Sequence, residues 1–423
     1  MKSTMMDDCG GPGRNGWVRV DGHLGRRGWQ AVGAAAMLAL VLPPQLLPHP
    51  LHVDILIGAA AALLGYFMAS ALLRGVSAMH LQRVPGRRVA PLLALGLLAV
   101  AGLRTRARVQ GLRHEMGMPG NAFDATEHAA RAVTGAVLAA SAVLLAIALL
   151  RRLSWRHLAL VAVLPVVAAA LISARSGPAD PNLKGTEFLD GARDAAAVSE
   201  ATGRSAVTPH RIYIPVGTAP SHTGRAQAAV AATELAGGLN SAAVLLIIPT
   251  GSGWVNTRTA RIVEDLYDGD LTTVAVQYGT TPSWQSYLRG GAGVHESAAE
   301  LVRAMRARIN QLPPAQRPQL LVYGESLGAW GLLPTLESNG SAVDAALLTG
   351  VPGDPRISSA NTTVLNHPDD PVPGWKPWLA PAAFLRASAD AIASEAVPIG
   401  HGHRYGAETT GAWCDLLDRP ACA

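Results

Sequence analysis

Lysine is nearly missing from this chain: among 423 residues it occurs only as Lys2, Lys184 and Lys376. The net charge of +5 therefore rests on arginine. Those arginines gather at the ends of apolar runs, where a membrane explains them and no nucleic-acid partner is needed. Charge of either sign is scarce, at 15% of residues against 49% hydrophobic, and that balance excludes an ordinary soluble domain throughout. Cysteine is scarce too. Cys9, Cys414 and Cys422 have no zinc-site spacing, which argues against a cysteine-built metal centre. Cys414 and Cys422 are near enough in sequence to close a small disulfide loop if that end is exported, or to stay as two free thiols.

What the chain has in excess is Ala, Leu and Val before Ser173. After a basic tail (1–28), five apolar runs at 29–47, 51–73, 89–103, 132–150 and 155–172 approach the ~20 residues that a bilayer-crossing helix needs. A multi-span α-helical region over 29–172 follows. Arg14, Arg19, Arg26 and Arg27 in the tail, the loop with Arg74, Arg83, Arg87 and Arg88, and the turn with Arg151, Arg152 and Arg156 fall on one side, which the positive-inside rule makes cytoplasmic. The loop with Arg104, Arg106, Arg108 and Arg113 then faces outward, against the rule. With five spans the C-terminal half is extracytoplasmic; with four or six it is inside. Asp54, near the start of the second run, is expected to snorkel to the interface.

Residues 173–209 read as a linker carrying one helix, 191–201. From 210 to 423 the periodicity changes. Short aliphatic or β-branched runs at 211–216, 243–248, 272–278, 320–323, 345–349 and 363–365 alternate at first with helical patterns at 226–236, 259–267 and 295–309. That alternation predicts an α/β domain, a mostly parallel sheet with helices on both faces, and places functional groups at the carboxyl ends of its strands.

One such strand runs into Gly324, Glu325, Ser326, Leu327 and Gly328. Gly-x-Ser-x-Gly alone is a weak pattern, but here it occurs once, between a strand and a helix. That is the setting of a nucleophile elbow, in which a serine stands clear of the backbone so that a base can take its proton. Asp370 follows the last strand and is the candidate to orient that base. The base comes from Gly400–His401–Gly402–His403, with His403 preferred and His401 the alternative, so the order is Ser, Asp, His. A His-x-His pair can also bind metal, yet no further ligands stand at convincing spacing, and no metal or cofactor is expected. An oxyanion hole needs two N–H donors. Leu327 should supply one and the loop with Gly251 and Ser252 the other.

With these motifs in place, the C-terminal half resembles the α/β-hydrolase superfamily. More closely, it resembles an actinobacterial family that joins a multi-span N-terminal region to a hydrolase domain. The resemblance rests on residues 249–256, 277–284, 324–331, 367–372 and 400–406, and it covers the membrane half by architecture only. It implies a serine hydrolase using Ser326, Asp370 and a histidine of the Gly-His-Gly-His motif. Where that family tends to carry adjacent tryptophans after the acid, Trp375 and Trp378 are separated here.

The expectation is a multi-pass protein of the cell membrane, with an extracytoplasmic esterase- or lipase-like domain acting on an ester of lipid or acylated envelope material. An acyltransferase would use the same triad, and a non-catalytic scaffold would use only the fold. The sequence leaves the oligomeric state open.

Overall fold

The structure is a computed structural model, and it describes residues 15–78, 89–150, 183–281, 283–353, 355, 357, 360–376 and 378–419. The chain divides into two units. One is residues 1–152 with 379–393; the other is 153–378 with 394–423.

The first unit contains α1 (Asn15–Val41), α2 (Leu51–Ala78), α3 (Val89–Glu115), α4 (Ala122–Leu150) and the helix Pro381–Ala393. α1 packs on α2 and α3, α4 packs on the same two, and the helix Pro381–Ala393 lies against α1 and α2. Small residues set how closely the helices approach: a Cβ added at Gly33 would lie 2.6 Å from the Ala69 Cβ. Three stretches are long and apolar enough to cross a membrane: Leu51–Gly75, Val89–Glu115 and Ala122–Leu149. Their outward leucines, such as Leu56 at 66% exposure, form the apolar surface that lipid rather than water would solvate.

Three expectations change here. The first run breaks at Val41, because Pro43 and Pro44 cannot continue a helix, and residues 42–50 form a non-helical connection. The third continues as helix through the arginines to Glu115, where good helix formers bury Ala101, Thr105, Val109 and Leu112 at three- and four-residue spacing. Asp54 does not snorkel. It is 1% exposed, with His49 Nδ1 at 2.7 Å and His128 Nε2 at 2.8 Å. The other nitrogen of His49 lies 3.0 Å from Asp390, whose Oδ1 also accepts the Leu46 and Leu47 N–H groups. The fifth apolar run, 155–172, lies outside the described residues.

The second unit opens with two short helices in place of the one expected at 191–201. They are Leu183–Asp190 and Ala195–Thr202, the latter capped by Asp194 accepting the Ala197 N–H at 2.8 Å. Six parallel strands follow: β1 (His210–Ile214), β2 (Ala243–Ile248), β3 (Leu271–Val276), β4 (Gln319–Glu325), β5 (Ala345–Thr349) and β6 (Thr362–Leu365), in the order β1-β3-β2-β4-β5-β6. β2 is buried along its whole length, with alternate residues serving opposite faces. Val244, Leu246 and Ile248 meet the helices His222–Leu235, Ala292–Asn310 and Leu327–Asn339, while Leu245 and Ile247 share a core with Val263 and Trp413. The sheet is covered on both faces, as the alternating pattern requires. β2 pairs with both β3 and β4, so successive connections turn to opposite sides of it, and the crevice at its carboxyl end is where such sheets place their sites.

Candidate active site

Ser326 occupies the one-residue turn between β4 and the helix Leu327–Asn339, with φ 57° and ψ −122°. A non-glycine residue in this region is strained, and such strain persists only where the surroundings enforce it. Two glycines do so. A Cβ on Gly324 would stand 2.6 Å from the Ala329 backbone nitrogen, and one on Gly328 would collide with the carbonyl of Ile248. The turn is tied to the next strand by the Ser326 N–H, which donates to Thr349 O at 2.9 Å.

Asp370 follows β6 and is fully buried at its carboxylate. Its Oδ1 accepts the Val372 N–H at 2.9 Å, and its Oδ2 accepts the Tyr405 hydroxyl at 2.6 Å. His403 Nδ1 lies 2.8 Å from the same Oδ2. Because a carboxylate accepts, Nδ1 carries the proton, and in the neutral ring Nε2 is left with a free lone pair. Nε2 is buried and has no hydrogen-bond partner among the described residues. Burial alone would lower the His403 pKa, but the Asp370 hydrogen bond and the charges of Asp370, Glu325 and Glu395 raise it above the ordinary histidine value.

The ring of His403 lies over Gly350, the residue after β5, where an added Cβ would stand 2.7 Å from Nδ1 and 3.0 Å from Asp370 Oδ2. Gly350 directly follows Thr349, the acceptor of the Ser326 N–H. Ser326, Asp370 and His403 thus gather at the carboxyl ends of β4, β5 and β6. His401 does not join them. It pairs with Asp369 at 2.9 Å, a third exposed, so the two histidines turn to different carboxylates rather than to a shared ion. Among the described residues no group of three or more His, Cys, Asp or Glu side chains could hold a metal.

The oxyanion donors divide differently from expectation. Leu327 opens its helix, so its N–H has no intrahelical acceptor. The Gly251 N–H, by contrast, donates to the Ser283 hydroxyl at 3.1 Å and is spoken for. The Ser252 N–H has no acceptor among the described residues, while its carbonyl accepts from Gln277 Nε2 at 3.2 Å.

Three neighbours escaped sequence reasoning. Tyr405 belongs to the same glycine-histidine segment, but its tie to Asp370 spans 35 residues. His367 stacks on Tyr405 at 4.1 Å and reaches Gly402 O and Glu408 Oε1, each at 2.9 Å, fixing the loop that carries both histidines. Glu325, directly before the serine, accepts from Asn256 Nδ2 and the Tyr323 hydroxyl, both at 2.7 Å. Burial raises the Glu325 pKa, and the nearby His403 offsets this in part. Cys414 takes part in a disulfide, and both other cysteines lie outside the described residues.

A family model described as an alpha/beta-hydrolase family matches residues 210–387. Fold and match together define this part of the chain as an α/β-hydrolase domain, which supports a hydrolase. Among solved structures, an acetylxylan esterase matches at 18% identity over 37% of this chain and 95% of its own, with a TM-score of 0.24. The comparison with curated proteins gives no match.

Proposed function

We propose that the chain is a membrane-anchored serine hydrolase that cleaves an ester or related acyl bond. The observation that carries this reading is His403, held through Nδ1 by Asp370 while Nε2 stands buried and, among the described residues, unpartnered at the end of the sheet where the strained serine turn emerges. Ser326 Oγ bonds to the acyl carbon as its proton passes to Nε2, and Asp370 stabilises the imidazolium. The carbonyl oxygen takes up the charge and is held by the Leu327 and Ser252 N–H groups. The leaving alcohol departs with the proton from Nε2, and water repeats the sequence on the acyl-enzyme.

A lipid-like or acylated substrate is favoured by Trp284, 60% exposed, and by Leu288 on the helix Ser283–Leu288, whose first residue holds the oxyanion loop. An extracytoplasmic domain on the cell membrane is favoured by the arginine distribution and by the disulfide at Cys414, since disulfides persist in oxidising compartments. The test is labelling of membranes with a fluorophosphonate probe. Wild type should label and Ser326→Ala should not; unlabelled but folded wild type would leave only a scaffold. Products formed with and without an added alcohol distinguish hydrolysis from acyl transfer.

A further inference from the structure

The arginines of α3 sit badly with the positive-inside rule, and their surroundings suggest another purpose. Arg104 and Arg108 are one helical turn apart and share a face. Together with Arg386 of the helix Pro381–Ala393 they line a cleft of about 430 Å³, floored by Pro43, Pro44 and Leu46 of the α1–α2 connection. Among the described residues, no acidic side chain lines it. Arg108 is aimed by its Nε, which donates to Pro44 O at 3.1 Å, and by Nη2, which donates to Gln45 O. Arg386 Nε is buried and has no hydrogen-bond partner among the described residues. Arg131 shows the contrast: it pairs with Glu127, whereas among the described residues none of the three cleft arginines makes an ion pair. A second cleft of this unit, about 310 Å³, mixes Arg113 and Arg131 with Asp124 and Glu127 and so selects no charge.

The level of the cleft identifies its ligand. The apolar stretch of α3 ends at Leu103, which is 63% exposed, and Arg104 is the next residue; Leu40, 45% exposed, stands at the cleft itself. Cationic groups therefore begin where hydrocarbon-facing surface stops, which is the depth of phospholipid headgroups. Guanidinium groups recognise phosphate through paired N–H donors, and a buried donor left alone is costly unless a ligand supplies the acceptor. We propose that this cleft binds the phosphate of an anionic phospholipid, with the acyl chains lying along the exposed leucines of α1 and α3. The proposal rests on α3 being a membrane span and is independent of the hydrolase chemistry.

Native mass spectrometry of the full chain in detergent, titrated with phosphatidylglycerol and with phosphatidylcholine of the same acyl chains, tests it. Phosphatidylglycerol should bind roughly tenfold or more tightly. Arg104→Gln and Arg386→Gln should each erode that preference, and Arg106→Gln, outside the cleft, should leave it intact. Arg104 is exposed, so its variant keeps the test valid if Arg386→Gln fails to fold. Equal affinity for the two lipids, or a preference that survives both cleft variants, would overturn the proposal. Displacement of phosphatidylglycerol by inorganic phosphate at comparable concentration would also overturn it, in favour of a soluble phosphate ligand.

Discussion

Asp370 accepts three hydrogen bonds, and only one of them comes from the proposed base. The Tyr405 hydroxyl at 2.6 Å and the Val372 N–H at 2.9 Å engage one carboxylate oxygen each, which holds the group against rotation away from His403. Tyr405→Phe removes one donor and concentrates negative charge on the histidine. It is expected to lower kcat/KM roughly tenfold, the worth of a hydrogen bond to a charged group. His403 must be neutral to accept a proton, and its pKa is raised. The acid limb of the kcat/KM profile should therefore fall on the alkaline side of the ordinary histidine value, and Tyr405→Phe should move it further that way. His401→Asn should change neither, because His401 answers to Asp369. A pH profile of the three proteins decides the matter.

The same residues show what one dimension can convey. Ser326 was legible because its turn is built by neighbours two positions away. Asp370 and His403 can be read from sequence only as residue types in an order, and it is folding that brings them within 2.8 Å. Tyr405, Glu325 and His367 cannot be read there, since each takes its part from a partner brought near by folding alone. The same holds for Gly251: a glycine-rich loop leads one to expect free N–H groups, but this one donates to the hydroxyl of Ser283, 32 residues on.

At the scale of elements, strands read more clearly than helix ends. The strands β2 and β5 fall on 243–248 and 345–349 because continuous aliphatic runs bounded by turns leave little choice. α3 overran its expected end because arginine is a good helix former, and polarity marks where a membrane stops rather than where a helix does. Asp54 was misread because two of the groups that make its burial tolerable, His128 and the Asp390-bound His49, depend on contacts 74 and 341 residues apart in sequence.

That cluster makes its own prediction. Burial opposes the charged form of His49, but hydrogen bonds and charge from Asp390 and Asp54 outweigh it and push its pKa up to about 9. A folded-state pKa above the unfolded value of about 6.5 means stability fully present below the latter and lost as pH rises through the former. Thermal unfolding of the chain in detergent should accordingly occur at lower temperature as pH climbs from neutral toward about 9. In His49→Gln that pH-dependent component should disappear, on top of a loss of about 3–5 kcal/mol as Asp54 and Asp390 lose the charged partner they share.

At the scale of the whole molecule, the helix Pro381–Ala393 belongs to the first unit although it is strung between Asp370 and His403. The polypeptide therefore passes from one unit to the other three times, near 152–153, 378–379 and 393–394. Severing one strand of a three-strand tether releases nothing. A protease site engineered into residues 176–181 should give two fragments on a denaturing gel, yet the hydrolase fragment should still sediment with membranes after a high-salt wash at neutral pH. A soluble C-terminal fragment would show that the returning helix does not hold. A single cut before residue 183 therefore cannot shed the second unit, and only severing all three crossings, near 152–153, 378–379 and 393–394, would set it free.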